Sequence, residues 1–130
     1  MPRACTVALA VLFAIACGKD AMAPGYGTIA LTQAGVCATP SAEYVVVWVD
    51  DVDRTNELAG GPGPNGPYTR VLVPASPNRL SVPNVVAGAR RVVIFRQRYG
   101  TEGELNVTVK AGAQTLIRLD CPDGYTITNP

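Results

Sequence analysis

The run EYVVVWVD, Glu43 to Asp50, limits what this chain can fold into more than any other stretch. It is too short for a stable helix, and its β-branched and aromatic side chains crowd a helical turn but suit a pleated surface. Being apolar at both parities, it reads as a central strand with both faces covered and Trp48 as core filler. GTIALTQ (27–33) sets Ile29 and Leu31 opposite Thr28, Ala30 and Thr32, the two-residue period of a half-buried strand. RVVIFRQ (91–97) reads as a second central strand, and 68–73 and 79–82 as shorter ones. Leu105, Val107 and Val109 alternate with Asn106, Thr108 and Lys110, as Ile117 and Leu119 do with Arg118 and Asp120. Turn chemistry at Pro74 to Pro77, Ala87-Gly88, Tyr99 to Gly103 and Ala111-Gly112 separates these runs, and no segment beyond residue 16 carries a convincing helical period. About seven strands in about a hundred residues predict an all-β fold: a single antiparallel β-sandwich over 27–130, immunoglobulin-like or prealbumin-like, with a small closed barrel as the competing architecture.

Residues 1–16 read as a signal peptide: a cation at Arg3, the apolar stretch TVALAVLFAIA, then small residues ahead of Cys17. The stretch is eleven residues long, whereas a bilayer span needs about 20. Ala21-Met22-Ala23 satisfies the small-x-small rule for ordinary cleavage, but Pro24 would then follow the scissile bond, where its fixed φ and missing N–H fit a protease cleft poorly. Ala14-Ile15-Ala16-Cys17 resembles the lipobox of bacterial lipoproteins, with alanine where leucine is usual. That resemblance implies diacylglycerol on Cys17, residues 17–26 as a tether, and anchoring in the cell envelope to a membrane facing the periplasm or the exterior. Plain secretion is the alternative.

Of the four cysteines, Cys5 lies in the signal and Cys17 is taken by lipid, which leaves Cys37 and Cys121. Without histidine or CxxC spacing the pair makes a poor metal site, and in an oxidising compartment a Cys37–Cys121 disulfide is the economical reading, two buried thiols being the alternative. Two cysteines around Trp48 invite comparison with immunoglobulin domains, yet Leu119 stands where a tyrosine-corner residue would sit.

Charge argues against a nucleic-acid partner. The chain carries eleven basic and ten acidic residues, Arg3 leaves with the signal, and a neutral domain has no field to draw in a polyanion. Arg90, Arg91, Arg96 and Arg98 form the one local positive concentration, read either as a solvated face or as an anion or glycan site. Catalysis is disfavoured. There is no histidine, and none of Ser41, Ser76 and Ser81 sits in a nucleophile elbow. Asp50, Asp51, Asp53 and Glu57 crowd the start of a long loop, where a catalytic carboxylate pair would be poorly held. As calcium ligands, Asp50, Asp51 and Asp53 are weak metal candidates: Asn56 and Pro62 replace the glycine and glutamate of an EF-hand, leaving only an irregular oxygen site. The loop itself, 51–67, contains AGGPGPNGP (59–67) and would present Asn65 and Tyr68 for binding, the alternative being a mobile tip. No cofactor is expected.

The order GTIALTQ, VVVWVDD, RLSVPNVVAGARRVVIF and LNVTVKAGAQTLIRLD resembles the small prealbumin-type sandwiches of the carboxypeptidase regulatory-like and PEGA group. Asp50-Asp51 stands where that group has an Asp-Gly turn, Ala87-Gly88 at its glycine before a strand, and Ala111-Gly112 at the turn of its last hairpin, although the Pro-Glu-Gly-Ala stretch is absent. The resemblance implies a non-catalytic accessory domain. The expectation is an envelope-anchored binding, adhesion or structural module contacting the membrane through its lipid and an unidentified protein or glycan; the alternative is a secreted carbohydrate- or calcium-binding domain.

Overall fold

The computed structural model describes residues 25–34, 43–60, 68–121 and 123–130. In chain order its elements are β1 (Tyr26–Gln33), β2 (Glu43–Val49), β3 (Val52–Asp53), α1 (Thr55–Leu58), β4 (Val71–Val73), β5 (Leu80–Val86), β6 (Gly88–Arg96), β7 (Thr101–Val109), β8 (Gln114–Asp120) and β9 (Gly124–Thr128). Two sheets form a β-sandwich. The first runs β9-β8-β1-β5; the second runs β3-β2-β6-β7, with β4 also paired to β2. Their inner faces meet in one core that includes Ile29, Leu31, Val45, Val47, Val92, Ile94, Val107, Ile117 and Leu119. One pairing departs from the expected antiparallel scheme: β1 and β8 run parallel, from Thr28 opposite Gln114 to Gln33 opposite Leu119.

The chain changes sheets at short glycine-bearing links. Ala87 passes from β5 to β6, and Ala111-Gly112 passes from β7 to β8, so the latter does not close a hairpin as the resemblance implied. The last hairpin is instead β8–β9. At the second link the backbone presses on β1: Thr28 N–H donates to the Ala113 carbonyl at 2.9 Å and Gly112 N–H to that of Tyr26 at 2.9 Å. A Cβ on Gly27 would lie 2.3 Å from the Lys110 carbonyl oxygen, so the crossing needs glycine there.

Several boundaries differ from the sequence reading. The strand expected over 79–82 continues to Val86 through Pro83, because β5 is an edge whose register on β1 shifts there: Val82 pairs with Ile29 and Val85 with Gly27, and Asn84 takes a φ of 56°. β7 and β8 begin earlier than expected, and β9 was not foreseen, since only Tyr125 and Ile127 mark its apolar side. The expected loop 51–67 does not begin at 51: β3 and the single turn α1 occupy its first part. Asp53 Oδ1 accepts the Thr55 N–H at 2.9 Å, which starts that turn, and it delivers Thr55 and Leu58 to the core. Residues 61–67, and Asn65 with them, lie outside the described residues, as do Cys17 and Cys37.

Candidate functional site

The two sheets carry unlike outer faces. On the first, Thr32, Ser81, Gln114, Arg118 and Thr126 stand between strands. Arg79 donates across to Gln114 Oε1 at 2.5 Å, Arg118 to Asp120 Oδ1 at 2.7 Å, and Thr32 Oγ1 to the Asn78 carbonyl at 2.6 Å. Polar bonds run along this face, and Tyr26 stands 58% exposed at its end. Asp120, despite burial that raises it, is held below its ordinary carboxylate value by hydrogen bonds from Thr126 and Arg118 and by the charge of Arg118 and Arg96.

The second outer face is apolar and aromatic. Because Val45, Val47 and Val49 point to the core, alternation turns Tyr44, Val46 and Trp48 outward. On β6, Val93 and Phe95 do the same opposite Trp48 and Val46. Trp48 is therefore not core filler: it is half-buried on the outside, and β2 is covered fully on one face only. Leu72 lies opposite Tyr44 on β4 and remains 44% exposed, while Tyr44 is 37% exposed. Sequence reading missed this face because valine, tyrosine and tryptophan at both parities imitate a two-sided core. The signal that marks it is that the aromatic residues Tyr44 and Trp48 share a parity while the other parity carries only valines after Glu43.

Beside Tyr44 the face dips into a groove of about 300 Å³ lined by Tyr44, Val45, Val46, Thr69, Arg70, Phe95 and Gln97. The Arg70 guanidinium carbon lies 4.4 Å from the Tyr44 ring centroid, and its Nη1 donates to Gln97 Oε1 at 2.6 Å. Stacking and hydrogen bond together fix an otherwise flexible cation at the rim. Glu102 stands opposite Phe95 on β7. Tyr68, proposed from sequence as a binding residue, is half-buried and not among those lining the groove; its N–H donates to Asn56 Oδ1 at 3.0 Å.

The four sequence-adjacent arginines do not form one cluster. Arg90 and Arg96 point inward at opposite ends of β6, while Arg91 lies on the outer side. Arg90 Nη1 donates to Asp50 Oδ2 at 2.9 Å, and Arg91 pairs with Asp51 and, at 2.7 Å, with Glu104. Arg91 holds the Glu104 carboxyl below the usual range, first through the hydrogen bond and then through charge. Arg96 is fully buried. Its Nε and Nη2 grip Glu43 at 2.7 and 2.9 Å, Nη2 also donates to the Asp120 carbonyl at 2.7 Å, and Nη1 donates to the Gly124 carbonyl at 2.9 Å. Arg98 lies over the Tyr99 ring at 5.6 Å.

The acidic metal candidates are used differently from the expectation. Asp50 and Asp51 form the two-residue turn of the β2–β3 hairpin, both at positive φ, and their carboxylates engage Arg90 and Arg91; Asp53 serves the Thr55 amide. Among the described residues no group of three or more His, Cys, Asp or Glu is placed to hold a metal ion. Compared with known proteins, the chain matches no family model, no curated protein and no solved structure.

Proposed function

We propose that this chain is an exported, lipid-anchored envelope protein whose β-sandwich is a non-catalytic binding module, and that it binds through the outer face of the five-stranded sheet. The observation that carries the reading is the inequality of the two faces. Polar hydrogen bonds link the side chains of the first face, where Tyr26 stands exposed at one end, whereas on the second, beside the Arg91–Glu104 pair, Tyr44, Val46, Trp48, Leu72 and Phe95 form contiguous apolar surface around a groove. A soluble surface gains nothing from holding such a patch in water, and patches of this kind mark contact sites. Aromatic side chains supply large rigid contact area with little entropy to lose.

The N-terminal part of the proposal rests on the Ala14-Ile15-Ala16-Cys17 junction. The disulfide proposed between Cys37 and Cys121 is supported by topology. Because β1 and β8 are parallel neighbours, Gln33 and Leu119 end side by side, with Ala34 N–H donating to the Leu119 carbonyl at 3.0 Å. Both cysteines follow those ends within a few residues.

Site-specific photo-crosslinking in intact cells tests the binding reading. A benzophenone amino acid at Leu72 is expected to capture an envelope component that one at Ser81, on the polar face, does not. Equal capture from both positions, or none from Leu72 while Ser81 reacts, would contradict it.

A further inference from the structure

We propose that the groove beside Tyr44 binds an acidic sugar, a pyranose ring bearing a carboxylate, as one unit of an anionic glycan. This inference rests on the reading of the aromatic face as the binding surface and names its ligand. Three features of the groove point to it together.

The floor is the aromatic and aliphatic surface of Tyr44, Val46 and Phe95. A pyranose presents a face of C–H groups, slightly positive, which rests favourably on the electron-rich face of an aromatic ring. The rim is polar and planar, from Thr69, Arg70 and Gln97, and offers hydrogen bonds at the level where ring hydroxyls project. A volume of about 300 Å³ is at the small end for ligand sites, suited to one sugar ring rather than a folded partner.

Charge selects the acidic ligand. Arg70 is the one formally charged group among the described residues lining the groove. Its side-chain hydrogen bond goes to the neutral Gln97, and it takes part in no ion pair among the described residues, whereas Arg54, Arg90, Arg91, Arg96 and Arg118 each face a carboxylate. One donor of its fork is used by Gln97, and stacking on Tyr44 sets the plane of the rest. A fixed guanidinium with open donors matches the two oxygens of a carboxylate. A second copy of the chain fits less well, because a two-fold axis through the groove would set Arg70 against its own equivalent.

The test is titration of the detergent-solubilised full chain with trigalacturonate, using maltotriose as the neutral comparison, followed by calorimetry. Trigalacturonate is expected to bind, with affinity that falls as salt rises. Arg70→Gln should weaken it about tenfold or more, and Tyr44→Ala should weaken both sugars. Both positions are exposed, and a thermal melt within a few degrees of the parent shows that each variant is folded. Equal affinity for maltotriose, unchanged by Arg70→Gln, would overturn the acidic assignment. Trigalacturonate binding that neither variant alters would overturn the site. Absence of binding by either sugar would overturn the inference while Leu72 crosslinking, if intact, leaves the binding face standing.

Discussion

Arg96 and Glu43 show what a single pair does in this sandwich. Both side chains are fully buried, one on β6 and one on β2, and the guanidinium also gathers two carbonyls from the β8–β9 hairpin, so it ties the second sheet to the end of the first. Such a pair is hard to break from one side. Glu43→Gln leaves a buried cation without its anion and should destabilise the fold by about 3–5 kcal/mol, whereas Glu43→Leu with Arg96→Met should cost clearly less. Urea unfolding of the three proteins checks this. Tyr125 packs over Gly103, where a Cβ would meet its hydroxyl at 2.6 Å, and burial is the main cause that raises its pKa above the ordinary value. The phenolate is thus disfavoured in the folded state. Its contribution to stability is complete below the unfolded value near 10 and is lost as pH rises from there through the folded value. Ultraviolet titration should show a tyrosine ionising late, and Tyr125→Phe should remove that step.

The β2–β3 hairpin is decided by its turn. Asp50 and Asp51 have φ of 48° and 68°, the left-handed pair that a two-residue hairpin needs. Asp51→Gly should leave stability unchanged or slightly higher, and Asp51→Val should lower it by about 1–2 kcal/mol, measured by thermal unfolding. The parallel β1–β8 pair makes a similar argument for the cysteines. Cys37→Ala should lower the melting temperature markedly, since closing so long a loop restricts the unfolded chain by about 4–5 kcal/mol in the entropic view. Cys37→Ala with Cys121→Ala should cost little more, and non-reducing peptide mapping would show the linked pair. At this scale the strands around Ile29, Val107 and Ile117 were legible from alternation, and the one around Val92 as an apolar run. The direction of β2 was not, because both parities are apolar and only the packing of its sheet against the other, with Val45, Val47 and Val49 turned to the core, decides which side is covered. Arg96 read as a surface cation because its partner lies 53 residues away in sequence, a distance no local pattern spans. The Asp50-Asp51 turn was legible as a turn; that its carboxylates would meet arginines from β6 was not.

The described residues form a sandwich whose two outer faces differ, and the sequence sets it after an N-terminal segment that reads as an export signal. If Cys17 carries lipid, Cys17→Ser should move the protein from the membrane fraction to the soluble one, because lipoprotein modification supplies more than one acyl chain and a single chain holds only reversibly. Intact mass of the native protein checks the same point, and an unlipidated N-terminus at Pro24 would contradict it. Anchoring alone, however, does not require the aromatic face to be covered. Trp48 is the single tryptophan of the chain and lies on that face, so its fluorescence reports the face directly. The decisive measurement is acrylamide quenching of Trp48, replaced biosynthetically by 7-azatryptophan so that its red-shifted emission is read apart from other tryptophans, in the purified labelled chain and in the same protein bound to unlabelled native envelope. A several-fold drop in quenching on binding is the predicted result; an unchanged constant in envelope-bound protein would contradict the claim that this face is where the module binds.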